Sequence, residues 1–132
     1  MTHSTNFRVY YEDTDAGGIV YYANYLKFAE RGRTEYLRKK TLENRALMKK
    51  NGVLFVVRHV EADYLYPARL DDELTVDTAL SEIKNASLVM TQSIFCHDRL
   101  LFKMKVVLAC VDLEGKLVKV PDVIKDKLKD EN

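Results

Sequence analysis

Between Tyr22 and Lys40 the apolar residues Tyr22, Tyr25, Leu26, Ala29, Tyr36 and Leu37 recur at steps of three and four. Gly32 and Arg33 stand at the turn where the stripe is interrupted. That spacing predicts one helix with a single face turned to a core. Gly32 costs about 1 kcal/mol against Ala in a helix, and its place on the stripe points to close contact with a sheet. A shorter helix is expected from Leu42 to Lys50, stopped at Asn51-Gly52.

After Gly52 the period falls to two. Leu54, Val56, Val60, Ala62, Tyr64 and Tyr66 alternate with His59, Glu61 and Asp63, predicting one long strand with an apolar and a wet face. A second strand carries Leu74, Val76, Thr78 and Leu80, and a third Leu88, Met90, Ile94 and Cys96, joined by a turn at Lys84-Asn85-Ala86. A fourth sets Leu100, Phe102, Met104, Val106, Leu108 and Cys110 against Lys103 and Lys105. Phe7–Tyr11 reads as a short opening strand, Asp112–Gly115 as a turn, and Pro121 as the start of a C-terminal helix. Consecutive strands with short turns predict an antiparallel meander. With one long helix ahead of it, the arrangement is α+β, a sheet wrapped around a helix.

Composition narrows the classes. At 132 residues the chain, 1–132, is expected to be a single domain. A formal net charge of +1 argues against a broad nucleic-acid surface. No apolar run approaches a membrane span, and residues 1–6 lack the apolar core of a signal peptide, so a cytoplasmic protein with no membrane-integral part is expected. Cys96 and Cys110 fall inside strand-like runs without metal spacing and read as buried free thiols.

The segment Tyr11–Tyr25 concentrates the chemistry: Glu12, Asp13 and Asp15, then Gly17-Gly18, then the helix. A helix start offers unpaired N–H groups that polarise a carbonyl, and the glycines allow tight turns beside a bound group. A carboxylate facing such a carbonyl is an acyl-transfer arrangement; the plainer reading is an Asp that caps a turn. The chain has no Gly-x-Ser-x-Gly elbow, no nucleophile motif at either cysteine and no phosphate-cradling glycine loop. His3, His59 and His97 are isolated, so neither a metal site nor a cofactor is expected.

The segment Tyr11–Tyr25 resembles the active-site stretch of the 4-hydroxybenzoyl-CoA thioesterases, a hotdog-fold family, and most of all its bacterial Tol–Pal-associated acyl-CoA thioesterase branch. The similarity continues through Glu30-Arg31-Gly32-Arg33-Thr34-Glu35, through Tyr64–Leu74, and ends at Gly115-Lys116 and Val120-Pro121. It implies a hotdog fold and hydrolysis of acyl-CoA to free acid and CoA. Asp15 matches the working carboxylate, as nucleophile or as general base on water, and Tyr22 matches the residue whose backbone N–H polarises the carbonyl. Asp13 is expected to be a framework residue.

The resemblance also aligns Val56, Val57 and Arg58 with strand residues lining the acyl-thioester site. It aligns Lys84, Asn85 and Ala86 with a turn touching the CoA nucleotide, where an ordinary hairpin turn is the alternative for Lys84. Glu30 is a rival base, set against an ion pair or a part in shaping a cleft between subunits. Two positions depart from the branch: Tyr22, where His is frequent although the hydroxybenzoyl enzyme also has Tyr, and Gly32, where Ala is usual. A homodimer or homotetramer with a shared cleft is implied, and acyl carrier protein is a possible partner. A non-catalytic acyl-CoA or acyl-carrier-protein scaffold, tied to phospholipid synthesis or the cell envelope, is the alternative function.

Overall fold

The computed structural model describes residues 2–130. Its frame is a five-stranded antiparallel sheet in the order β1-β3-β4-β5-β2, with β1 Thr2–Arg8, β2 Val53–Tyr64, β3 Glu73–Ile83, β4 Ser87–Cys96 and β5 Arg99–Asp112. The long helix α1, Asn24–Lys39, lies against β1, β3 and β4. This is the hotdog arrangement. α1 buries Tyr25, Phe28, Ala29, Gly32, Arg33, Tyr36 and Leu37, a regular three-and-four stripe. Tyr22 and Leu26, read as part of that stripe, are exposed, and the helix starts two residues after Tyr22.

Beneath α1 the sheet presents Leu74, Val76, Leu88, Met90, Ile94, Phe102 and Val106, all fully buried. Each such side chain contributes about 1.5–3 kcal/mol relative to an exposed one. Gly32 is the point of closest approach: a Cβ there would stand 2.6 Å from Val76 Cγ1. The expected sheet contact at Gly32 is therefore present. The short helix α2, Asn44–Ala46, runs on as a wide turn through Leu47–Asn51 and stops at Gly52, whose φ of 64° suits glycine. The C-terminal helix α3, Asp122–Lys129, adds Ile124 and Leu128 to the core. Cys96 and Cys110 are free thiols; Cys110 is buried and Cys96 partly so.

Three expectations need correction. The strands do not form a simple four-strand meander: β3, β4 and β5 do, but β2 pairs with β5, at the far edge from β1. β5 is apolar on both faces near its end, where Val107, Ala109 and Val111 are all buried. Such a strand belongs inside a sheet, with a neighbour on each side. The first strand is Thr2–Arg8, not Phe7–Tyr11. Its polar side chains alternate in exposure while the ladder to β3 holds its backbone, and Tyr11–Asp13 form a 3-10 turn instead. Finally, β2 does not keep one apolar face. Its pairing shifts at Arg58, between Val57 and His59, so Val53 and Phe55 join Val60 and Ala62 against the core while Val56 turns outward. A bulge inserts one residue and reverses parity.

Candidate active site

The acidic and glycine-rich segment closes into a narrow loop before α1. Thr14 and Val20 form an antiparallel bridge, the Asp15 N–H donates to the Ile19 carbonyl (3.0 Å), and the Tyr21 N–H donates to the Asp13 carbonyl (3.0 Å). Gly18, with φ 73°, makes the reversal and donates its N–H to the Asp15 carbonyl. The second chain segment in this region, 66–72, braces the loop from outside. The Val20 N–H donates to the Ala68 carbonyl (2.8 Å), the Leu70 N–H to the Gly18 carbonyl (3.0 Å), and Ile19 bridges Arg69. The backbone around Asp15 is thus tied on both sides.

The two aspartates do different work. The Asp13 carboxylate accepts the Tyr10 N–H (2.9 Å), and its carbonyl accepts the Asn24 side-chain amide (2.9 Å), so it is a framework residue. Asp15 is exposed. Its Oδ1 accepts the Gly17 N–H (3.1 Å), while Oδ2 has no partner among the described residues. The Tyr22 and Ala23 N–H groups, between the loop and the first turn of α1, also donate to nothing among the described residues. The arrangement offers a carboxylate oxygen with free lone pairs and two backbone donors on one braced loop. That set suits attack at a carbonyl and stabilisation of the resulting oxyanion.

Beside Tyr22 lies an aromatic cleft of about 270 Å³, walled by Val20, Tyr25, Tyr64, Tyr66 and Pro67. Burial, together with the neighbouring Tyr22 and Tyr25 phenols, pushes the Tyr64 pKa up, so it remains a hydroxyl donor in neutral solution. Tyr64 was legible in the sequence as part of a segment similar to the family, without a role.

The remaining site candidates lie elsewhere on the same chain. Val56, Val57 and Arg58 occupy the free edge of β2, and Lys84, Asn85 and Ala86 form the β3–β4 turn. Through Ala109 the register links Val56 to Ser87, placing both groups towards one end of the sheet. The Asp15 loop sits at the other end, with Tyr64 opposite Phe102. At the rise of a strand the two ends are roughly 20 Å apart. Within one chain, then, Asp15 and Tyr22 lie on one loop, Val56–Arg58 and the Lys84–Ala86 turn lie towards the other end of the sheet with β5 between their strands, and the two sets stay separate. In the turn, the Asn85 carbonyl accepts the Val120 N–H and the Ala86 carbonyl the Cys110 N–H, while the Lys84 N–H donates to the Ser87 carbonyl.

Glu30 accepts the Thr34 hydroxyl and forms no ion pair among the described residues. With Arg33, Leu37, Phe55, Val57 and Leu108 it lines a second cavity of about 270 Å³ between α1 and β2. Arg33 itself is buried, and its guanidinium is held by the Gln92 side-chain oxygen (3.0 Å). Burial lowers its pKa, opposed by Glu30. Sequence reading missed this contact; its one signal is Gln92, a polar residue on the otherwise apolar face of β4. His59 lies in the open, 3.8 Å from Glu61. Among the described residues no cluster could hold a metal ion, and no helix is long and apolar enough to cross a membrane.

The fold is that of a hotdog protein, and the Asp15 loop before its long helix is the candidate site. A model of the thioesterase-like superfamily matches residues 9–128, and the chain belongs to that superfamily. It is 48% identical over 110 residues to the acyl-CoA thioesterase YbgC of Haemophilus influenzae, covering 83% of this chain and 80% of that protein. A probable thioesterase from Bartonella henselae superposes with a TM-score of 0.89 at 40% identity, covering 92% of this chain and 100% of the other. A 4-hydroxybenzoyl-CoA thioesterase shares the fold, with a TM-score of 0.89 at 20% identity over 97% of this chain and 99% of its own.

Proposed function

We propose that this protein is an acyl-CoA thioesterase, with Asp15 as its working carboxylate and the Tyr22 N–H as the donor to the thioester carbonyl. The observation that carries the reading is the pairing, on one braced loop, of an unpartnered Asp15 Oδ2 with the free Tyr22 N–H. Similarity to proteins named acyl-CoA thioesterases over four-fifths of the chain supports CoA as the carrier, ahead of acyl carrier protein. The cytoplasm, where acyl-CoA is drawn on, is the matching compartment.

Attack on the thioester carbon produces an oxyanion that the Tyr22 N–H stabilises, and collapse expels the CoA thiolate. If Asp15 is the nucleophile, an acyl-aspartyl anhydride forms and water then releases the acid. If it is the base, it takes a proton from the attacking water and passes it to the departing thiolate. Both routes consume one water and yield free acid and CoA thiol.

The separation of the two residue sets within one chain supports a shared site in a homodimer. The free edge of β2 exposes Val57 and Tyr64, and an unpaired edge is a surface that proteins cover or use. Two copies of β2 paired antiparallel about a two-fold axis bring the Tyr64 end of one beside the Val56 end of the other. The Asp15 loop then faces Val57, Arg58 and the Lys84–Ala86 turn across the interface, and the cavity beside Glu30 and Arg33 provides space for the acyl group. Two such dimers make the homotetramer.

The test is an Asp15→Asn variant assayed with a panel of acyl-CoAs. kcat/KM is expected to fall by at least about 100-fold, with Asp13→Asn reported beside it as a framework control by its loss of thermal stability. Asp15→Asn activity within about threefold of the parent would exclude the assigned role.

A further inference from the structure

Tyr22 is the residue on which carbonyl polarisation turns, and its backbone is gripped on two sides by different means. The peptide plane carrying its N–H is fixed through the Tyr21 carbonyl, which accepts the Asn24 N–H (2.9 Å). The next plane, which carries the Ala23 N–H, is fixed through the Tyr22 carbonyl, and the donor there is a side chain: the Tyr64 hydroxyl, at 3.1 Å. Peptide units turn as rigid plates, so holding both carbonyls sets the direction of both free N–H groups. α1 begins at Asn24 without a side-chain cap, so no capping residue does this work.

Tyr64 is itself held firmly. It ends β2, and its ring meets Phe102 at 5.0 Å and Tyr25 edge-on at 5.3 Å, while Tyr25 stacks on Phe102 at 5.3 Å. Tyr25 and Phe102 are buried, and the Tyr25 oxygen accepts the Ala68 N–H (2.9 Å), tying the cluster to the segment that braces the loop. The Tyr22 ring closes the group at 6.3 Å from Tyr64. The hydroxyl therefore reaches the Tyr22 carbonyl from a half-exposed ring whose packed side rests on Phe102 and Tyr25.

We propose that Tyr64 is a positioning residue for thioester hydrolysis: through its hydroxyl on the Tyr22 carbonyl it holds the peptide plane of the Ala23 N–H, a second donor to the developing oxyanion beside the Tyr22 N–H, whose own plane Asn24 holds. The inference rests on the reading of Tyr22 given above and extends it to a residue outside the loop. Removing the hydroxyl leaves the aromatic cluster in place and frees one of the two plates. Small misplacements of a group acting on the transition state cost up to about 100-fold in rate, and loss of one of two restraints is expected to cost about tenfold in kcat. KM should stay within about twofold, because Phe keeps the ring that Tyr64 contributes to the wall of the cleft.

The test uses the full chain with Tyr64→Phe and Tyr64→Leu, assayed with acyl-CoA beside Asp15→Asn. Tyr22-Ala23 is the single Tyr–Ala pair in the sequence, so 13C-carbonyl tyrosine with 15N-alanine labels that one peptide bond for NMR. In Tyr64→Phe the Tyr22 carbonyl signal should move upfield as its hydrogen bond is lost, with kcat down about tenfold, KM nearly constant and the thermal midpoint within about 3 °C. An unmoved carbonyl signal overturns the proposal, as does a moved signal with parental kcat. So does a Phe variant that matches the parent while only the Leu variant slows, since packing of the ring would then be the whole effect. If Asp15→Asn keeps parental activity, the hydrolytic reading beneath the proposal falls, a result separable from any carbonyl shift.

Discussion

Gln92→Leu tests whether the buried polar knot of Arg33, Thr78 and Gln92 is balanced as the structure indicates. Gln92 is 1% exposed and Arg33 9%. The Gln92 amide nitrogen donates to the Ala29 carbonyl (2.7 Å) and to Thr78 Oγ1 (2.9 Å), and its oxygen accepts from the Arg33 guanidinium. Leucine fills nearly the same volume but accepts nothing, and Arg33 cannot shed its charge. Stranding a buried cation costs about 3 kcal/mol, and the two neutral bonds about 1 kcal/mol each, partly offset by the added apolar burial. A net loss of about 3–4 kcal/mol follows, roughly 10 °C in the melting temperature for a domain of this size. Adding Arg33→Met removes the stranded charge, and the double variant should recover to within about 1–2 kcal/mol of the parent. Urea denaturation of parent, both single variants and the double variant, at one protein concentration to hold any assembly equilibrium constant, gives the coupling energy directly. A Gln92→Leu cost below about 1 kcal/mol, or single effects that simply add, would refute the account of Arg33 as a charge kept folded by one amide.

Two more predictions bear on the same helix and on the sheet edge. Gly32→Ala gains about 1 kcal/mol of helix propensity but pushes a Cβ to 2.6 Å from Val76 Cγ1 and 3.1 Å from Thr78 Oγ1. Overpacking of that kind costs about 1–3 kcal/mol, so a net loss near 1 kcal/mol is expected in urea denaturation, and a more stable variant contradicts it. Val57→Asp places a carboxylate on the free edge of β2. It should shift sedimentation towards the 15.3 kDa monomer and lower activity by at least about tenfold, and a fully active monomer would end the shared-site model.

The helix stripe, the strand count and the α+β class were legible because burial on one face writes a period into the sequence. The order of the strands was not. β2 and β3 are consecutive and similar in pattern, and nothing local says that segment 65–72 carries the chain across the end of the sheet. The buried second face of β5, at Val107, Ala109 and Val111, was the available signal that it needed two neighbours. The parity change at Arg58 was equally hidden, since both readings of β2 give an apolar alternation and only the pairing with β5 distinguishes them. β1 failed the opposite way: its ladder is made by backbone groups, so Thr2 to Asn6 need no apolar residue to form a strand.

For the candidate site, the sequence singled out the Asp15 loop but could not distribute its duties. Asp13 and Asp15 are alike as residue types; they part company because the 3-10 turn at Tyr11–Asp13 aims the first carboxylate back at the Tyr10 N–H. The Tyr22 and Ala23 N–H groups stand just ahead of α1, which begins two residues later than periodicity placed it, and have no partner among the described residues. Tyr64 is the residue that pattern reading was least equipped to assign. On β2 it alternates like an ordinary apolar position, and its significance arises only because the register sets it opposite Phe102 and the aromatic cluster turns its hydroxyl towards the Tyr22 carbonyl. A long-range contact of that kind, between residues 22 and 64, leaves no period and no spacing in the chain. It is visible only when the sheet that carries one residue and the loop that carries the other are both folded.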